Sequence, residues 1–287
     1  MDNLPLPSRD TELADLGTAI QVVERAGVVS GYDADEDELQ AIVQLYDEYD
    51  ASGGVGELLD SSALDPGLLE TIKNGYSKTY ENGALKHLRS ELQSKVKRCP
   101  ICGIGPAKEL DHYLAKAHYQ VFAIYVRNLV PICHDCNNSK KTHGTGTANE
   151  RFIHAYFDQL PEDHLSVELA LENDALLTTY GVSDLSVGNE EIEQRIGFQL
   201  GRLRLSERWS DEVIIYLSAH EDALESAFDA DGAQGVAQFL TRQAIKEERR
   251  FGRSSWRPVL LRALSNSEEF CDNGFNAILK FDDNEAD

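Results

Sequence analysis

The sequence predicts a mainly α-helical protein with a small α+β module at its centre. Three observations predict it. Apolar residues recur at helical spacing on both flanks, as in Leu39, Ile42, Val43 and Tyr46. Two Cys-x-x-Cys pairs, Cys99/Cys102 and Cys133/Cys136, stand in the middle with 30 residues between them. Short alternating segments, residues 165–171 and 175–179, read as strands rather than helices.

The elements follow in chain order. Helices are expected over residues 11–26 and 36–49, the second broken by Ala51-Ser52-Gly53-Gly54. The acidic run from Asp33 to Glu38 suits a solvated helix start, where carboxylates favour the positive end of the dipole. Asp65-Pro66-Gly67 opens a helix running from Leu68 to Tyr80. A further helix over 84–97 delivers the chain to Cys99. Gly144-Thr145-Gly146-Thr147 reads as a linker. Beyond the two strands, helices are expected over 192–205, 211–228, 235–250 and 255–264, ahead of a polar tail over 281–287. Three regions result: an acidic helical region over 1–95, a cysteine module over 96–144, and a mainly helical domain over 145–287.

The 287 residues, 41% of them hydrophobic, suffice for a real core. Met1-Asp2-Asn3-Leu4-Pro5 has neither the basic start nor the apolar run of a signal peptide, and no stretch is apolar enough to span a bilayer. A cytoplasmic location with no membrane partner is therefore expected. In that compartment paired cysteines serve as metal ligands more often than as disulfides. Thiolates at this spacing suit one tetrahedral structural zinc held by Cys99, Cys102, Cys133 and Cys136. Cys271 has no nearby partner and reads as a core thiol.

The net charge of −23 argues against nucleic acid, but its distribution does not. Residues 84–144 hold ten Lys/Arg against four Asp/Glu, a net +6. Residues 1–83 hold four against 18 and carry −14. A basic module thus sits within acidic flanks, which would keep the chain soluble, suppress non-specific DNA binding, or dock a protein partner or a second copy of the chain. A later cluster, Lys246, Arg249, Arg250, Arg253 and Arg257, is diluted by Glu247 and Glu248 and reads as a solvated helix face.

Between the cysteine pairs lie Leu110-Asp111-His112-Tyr113 and Asn128-Leu129-Val130-Pro131, and Asn137-Asn138-Ser139-Lys140 follows Cys136. In this order the stretch from Cys99 to Lys141, about 45 residues, resembles an HNH endonuclease of the ββα-metal class. The family pattern has histidine where this chain has Asn137, so the set is an H-N-N variant.

The resemblance implies a zinc-stapled ββα-metal fold and metal-dependent hydrolysis of DNA phosphodiester bonds, with antiphage defence as one compatible setting. It implies His112 as general base, Asp111 and Asn137 as ligands of a catalytic Mg²⁺ or Mn²⁺, and Asn128 as the residue that holds the loop and orients the His112 ring. Lys140, Lys141, Lys116 and Arg127 are expected to meet the DNA backbone. Asp111 and His112 are neighbours on one strand and point to opposite sides; they share a site only if the strand ends there. The competing reading is a zinc-dependent DNA-binding or protein-docking module whose nuclease site is inactive or awaits a partner.

Overall fold

The computed structural model describes residues 3–141, 150–185 and 188–279, with the side chain of Arg25 left aside. The Gly144–Thr147 linker and the 281–287 tail lie outside the described residues. The chain forms two compact units, Asn3–Gln159 and the residues from Leu160 onward. Helix predominates, and the sheets are small and antiparallel.

In the first unit α1 (Glu12–Ile20) stops earlier than its periodicity predicts. Ala26 and Gly27 both adopt positive φ, and the chain turns there into a hairpin of β1 (Val23–Arg25) and β2 (Val28–Ser30). α2 (Glu36–Ser52) begins where the acidic run suggests. The Asp35 side chain accepts from Glu38 N, and the Glu38 side chain accepts from Asp35 N, satisfying two orphan amides at once. Gly53, left-handed at φ 64°, ends the helix. α3 (Pro66–Gly75) is capped by Asp65 and passes through a tight turn into Tyr80, and α4 (Lys86–Ser94) follows.

β3 (Glu109–His112) pairs with β4 (Leu129–Ile132) in the register Glu109↔Ile132 to His112↔Leu129, and α5 (His134–Lys140) follows directly. A unit this small cannot bury much core alone. The preceding helices supply what is missing. α3 packs against α1 and against the turn at Gln120–Phe122. Tyr46 of α2 stacks on Tyr125 with ring centroids 4.1 Å apart. Three tyrosine hydroxyls then reach into the module. Tyr46 donates to Val121 O at 3.1 Å, Tyr49 to Asn128 Oδ1 at 3.0 Å and Tyr76 to Leu110 O at 2.8 Å. The acidic N-terminal region and the cysteine module therefore share one core.

In the second unit β5 (Leu165–Glu172) and β6 (Ala175–Val182) form a hairpin turned by Asn173 and Asp174, both at positive φ. Four helices follow: α6 (Glu190–Arg202), α7 (Leu205–Ser218), α8 (Glu221–Phe251) and α9 (Trp256–Ser265). A short α10 (Phe275–Leu279) ends the described chain. The helix expected over 211–228 divides at Ala219-His220, and α8 bends at Asp231-Gly232. Trp209, Trp256, Phe270 and Phe275 are fully buried in this core. Within the later basic cluster Arg253 pairs with Asp163 and Glu248, and Arg257 with Glu247. Among the described residues no helix is long and apolar enough to cross a membrane.

Candidate metal centre and polar cleft

The two cysteine pairs meet. The sulfurs of Cys99, Cys102, Cys133 and Cys136 lie within 4.8 Å of one another, and all four residues are buried. The first pair sits on a tight turn in which Gly103 N donates to Cys99 O at 2.8 Å and Cys99 N to Gly105 O at 2.9 Å. Gly103 takes φ 68°, a conformation glycine adopts without steric cost. Ile104 N points at Cys102 Sγ, 3.4 Å away. The second pair opens α5, with Cys133 as the residue before its first turn. Four soft donors closed off from solvent could hold a metal ion such as zinc, with no position left for substrate. Cys271 is apart from this group, buried with its thiol near Leu264 O.

β3 runs from the first pair toward a cleft. Glu109 and Asp111 lie on one side of the strand, facing α5, while Leu110 and His112 lie on the other. β3 ends at His112, and Asp111, His112 and Asn137 all line one cleft of about 340 Å³, with Tyr76, Lys116 and Lys141 around it.

The His112 ring is held on one edge. Its Nε2 lies 2.9 Å from Ala123 O, a carbonyl that can only accept, so Nε2 carries the proton and Nδ1 keeps a lone pair. Tyr76 meets the ring at 61°, centroids 4.4 Å apart. Burial pushes the imidazole down to about 3, helped by the charges of Lys116 and Lys140 and opposed by the Ala123 bond. The ring is therefore neutral near pH 7.

Asp111 is buried and paired with Lys140 at 2.8 Å. Burial pushes its carboxyl up, and the Lys140 ammonium opposes that shift. Lys140 also donates to His112 O at 2.8 Å and to Tyr113 O at 3.2 Å. Asn137 Nδ2 donates to Glu109 Oε2 at 2.6 Å, while Glu109 Oε1 lies 2.8 Å from Nδ1 of the exposed His134. The Asn137 and His134 contacts hold the Glu109 carboxyl below its usual range.

Asn128 is fully buried, and the hydrogen bonds of its side-chain amide go to groups other than His112. Its Nδ2 donates to Leu114 O and Phe122 O, and its Oδ1 accepts from Leu114 N and Tyr49. It thereby clamps the loop between β3 and β4 and fixes the segment whose next carbonyl, Ala123 O, holds the His112 ring.

Two of the expected DNA contacts are placed otherwise. Lys140 is 2% exposed, its ammonium spent on Asp111 and two carbonyls, so it cannot meet a phosphate. Arg127 pairs with Asp50 and donates to Pro7 O at 3.0 Å, which ties the N-terminal segment down. Lys141 is exposed at the cleft rim, and Lys116 lies 4.2 Å over the Tyr76 ring beside it. Glu109 and Tyr76 receive no role from the sequence. Glu109 was findable, being two residues before Asp111 and so on the same strand face; Tyr76 carries no local signal.

No protein-family model and no solved structure matches this chain. The curated protein ea31 of Escherichia phage lambda is similar to it, 36% identical over 110 residues, which cover 35% of this chain. The match takes in 36% of ea31, so the chain spans about a third of that relative's length.

Two outcomes follow from the geometry. Removing Lys140 strands a carboxylate in the interior, so Lys140→Ala should cost about 3 kcal/mol in denaturant unfolding of the zinc-loaded chain. Asp111→Asn in the same background should recover part of it, because the stranded charge is gone. A Lys140→Ala chain as stable as the parent would contradict the pairing. His112 should appear in ring-nitrogen NMR as the neutral Nε2–H tautomer at pH 7. Its folded value lies below the ordinary 6.5. Above pH 6.5 its contribution to stability is therefore complete, and that contribution drains as pH falls toward about 3. A ring protonating near 6.5 would contradict its burial.

Proposed function

We propose that this protein is a metal-dependent endonuclease of the HNH kind, hydrolysing DNA phosphodiester bonds. One observation carries the reading: Asp111, His112 and Asn137 line the same cleft, with the His112 ring fixed by its Nε2–H on Ala123 O so that Nδ1 is left to accept a proton.

The oxygen donors fit a hard divalent cation. Asp111 offers a carboxylate. Asn137 has committed its Nδ2 to Glu109, which leaves Oδ1 as its coordinating end. Mg²⁺ or Mn²⁺ held by these two would neutralise charge on the scissile phosphate and on the departing oxygen. The remaining work falls to the protein. His112 Nδ1 takes a proton from water as the water oxygen bonds to phosphorus. The bond from phosphorus to the 3′ oxygen breaks, and that oxygen takes a proton from solvent. The products are a 5′-phosphate and a 3′-hydroxyl. Lys141 and Lys116 line the cleft and would meet the DNA backbone. The four-cysteine cluster would hold zinc as a staple and do no chemistry.

Lys140 favours a second reading, in which the site is inactive or awaits a partner on a zinc-built DNA-binding or docking module. Its ammonium already neutralises Asp111, the charge that a divalent ion would need. The −14 over residues 1–83 suits a protein partner or a second copy of the chain. The similar protein ea31 is encoded by a phage.

Purified zinc-loaded protein should nick or linearise supercoiled plasmid with Mg²⁺ or Mn²⁺, not with EDTA, and His112→Ala should lower the rate at least a hundredfold with zinc content unchanged. Full activity in a folded His112→Ala chain would overturn the role of His112. Inactivity of both proteins would favour the second reading.

A further inference from the structure

A second depression adjoins the His112 cleft. Arg89, Gln93, Lys108 and Glu81 line it, and it shares Tyr76, Tyr80, Leu110 and Asn137 with the first. The two make one groove that passes from α4 across β3 to Lys116 and Lys141.

Tyr80 stands where the depressions meet and is 54% exposed. Its ring is nonetheless braced. Tyr76 meets it at 74° with centroids 5.7 Å apart, and the Arg89 guanidinium lies 5.4 Å over it. Arg89 is itself tethered, with Nε donating to Thr79 O at 3.2 Å and Nη1 to Lys108 O at 3.3 Å. Gln93 Nε2 donates to the same Lys108 carbonyl at 2.7 Å. The ring is thus preset, solvent-facing and backed by a cation, and the exposed ammonium groups of Lys108 and Lys141 lie along the same groove.

An exposed aromatic in a groove bearing cations is the equipment of a single-strand platform: the ring stacks a base, and the cations follow the backbone. A base within a duplex has both faces covered by its neighbours, so the ring can take a base only from an unpaired or opened strand. Two acids, Glu81 and Glu109, also line this groove, and Glu109 is engaged by Asn137 and His134.

We propose that Tyr80 stacks an unpaired base of the DNA beside the scissile phosphate, so that single-stranded or locally opened DNA is the preferred substrate. The inference rests on the nuclease reading of the adjoining cleft. Tyr80 comes from the N-terminal region, outside the stretch from Cys99 to Lys141 that carries the family resemblance.

The test is fluorescence anisotropy of a short labelled single-stranded oligodeoxynucleotide and of the matching blunt duplex, using the full zinc-loaded chain with His112→Ala to prevent cleavage. The single strand should bind more tightly than the duplex. Tyr80→Ala should weaken single-strand binding about tenfold, and Tyr80→Phe should restore it. Single-strand binding unchanged in Tyr80→Ala, tighter binding of the duplex, or no binding of either DNA would overturn the proposal. Cleavage is read separately on the chain with His112 intact. Plasmid cleavage with binding indifferent to Tyr80 sinks this inference alone, whereas Tyr80-dependent binding without cleavage sinks the nuclease reading alone.

Discussion

Everything polar in the cleft hangs on the meeting of two cysteine pairs from either end of one segment. With their sulfurs within 4.8 Å, Cys99/Cys102 and Cys133/Cys136 fix both ends of the chain that carries β3 and β4. The strand register runs from Glu109↔Ile132 to His112↔Leu129, and α5 starts within the second pair. Asn137 is then one residue past a cysteine, and Lys140 is one helical turn further on. Both are directed onto β3, where they meet Glu109 and Asp111. A metal ion in the cluster would act here through placement.

A second layer of placement comes from outside the segment. Tyr49 of α2 ends on Asn128, Asn128 grips the Leu114 and Phe122 carbonyls, and the next carbonyl holds His112. A buried polar group left unpaired costs about 1–3 kcal/mol, so each link in this series holds the next to a narrow geometry. The acidic helices thus serve the cleft in two ways: they complete a core too small to stand alone, and they anchor the loop that orients the ring.

What could be read from the sequence was what is local. The cysteine pairs and the acidic start of α2 depend on neighbours a few residues away; the structure brings the two pairs together and begins the helix within the acidic run. The fates of Lys140 and Arg127 were not legible, because a lysine or arginine looks the same in sequence whether it faces solvent or is claimed by a distant carboxylate. Here the partners are Asp111 and Asp50, 29 and 77 positions away. The end of α1 was misread for a related reason: apolar periodicity continues past Ile20, but positive φ at Ala26 and Gly27 turns the chain back. Asn128 was legible as a loop-holding residue by resemblance only. The route by which it reaches His112, through Phe122 and Ala123, exists only in three dimensions.

Under the proposed function the cleft is an oxygen-donor site for a divalent ion, separate from the four-cysteine cluster. Electron paramagnetic resonance of Mn²⁺ titrated into the zinc-loaded chain tests it most directly. One bound Mn²⁺ per chain is expected, lost in Asp111→Ala and weakened in Asn137→Ala, while zinc content stays constant. No bound Mn²⁺, or binding indifferent to both substitutions, would contradict it.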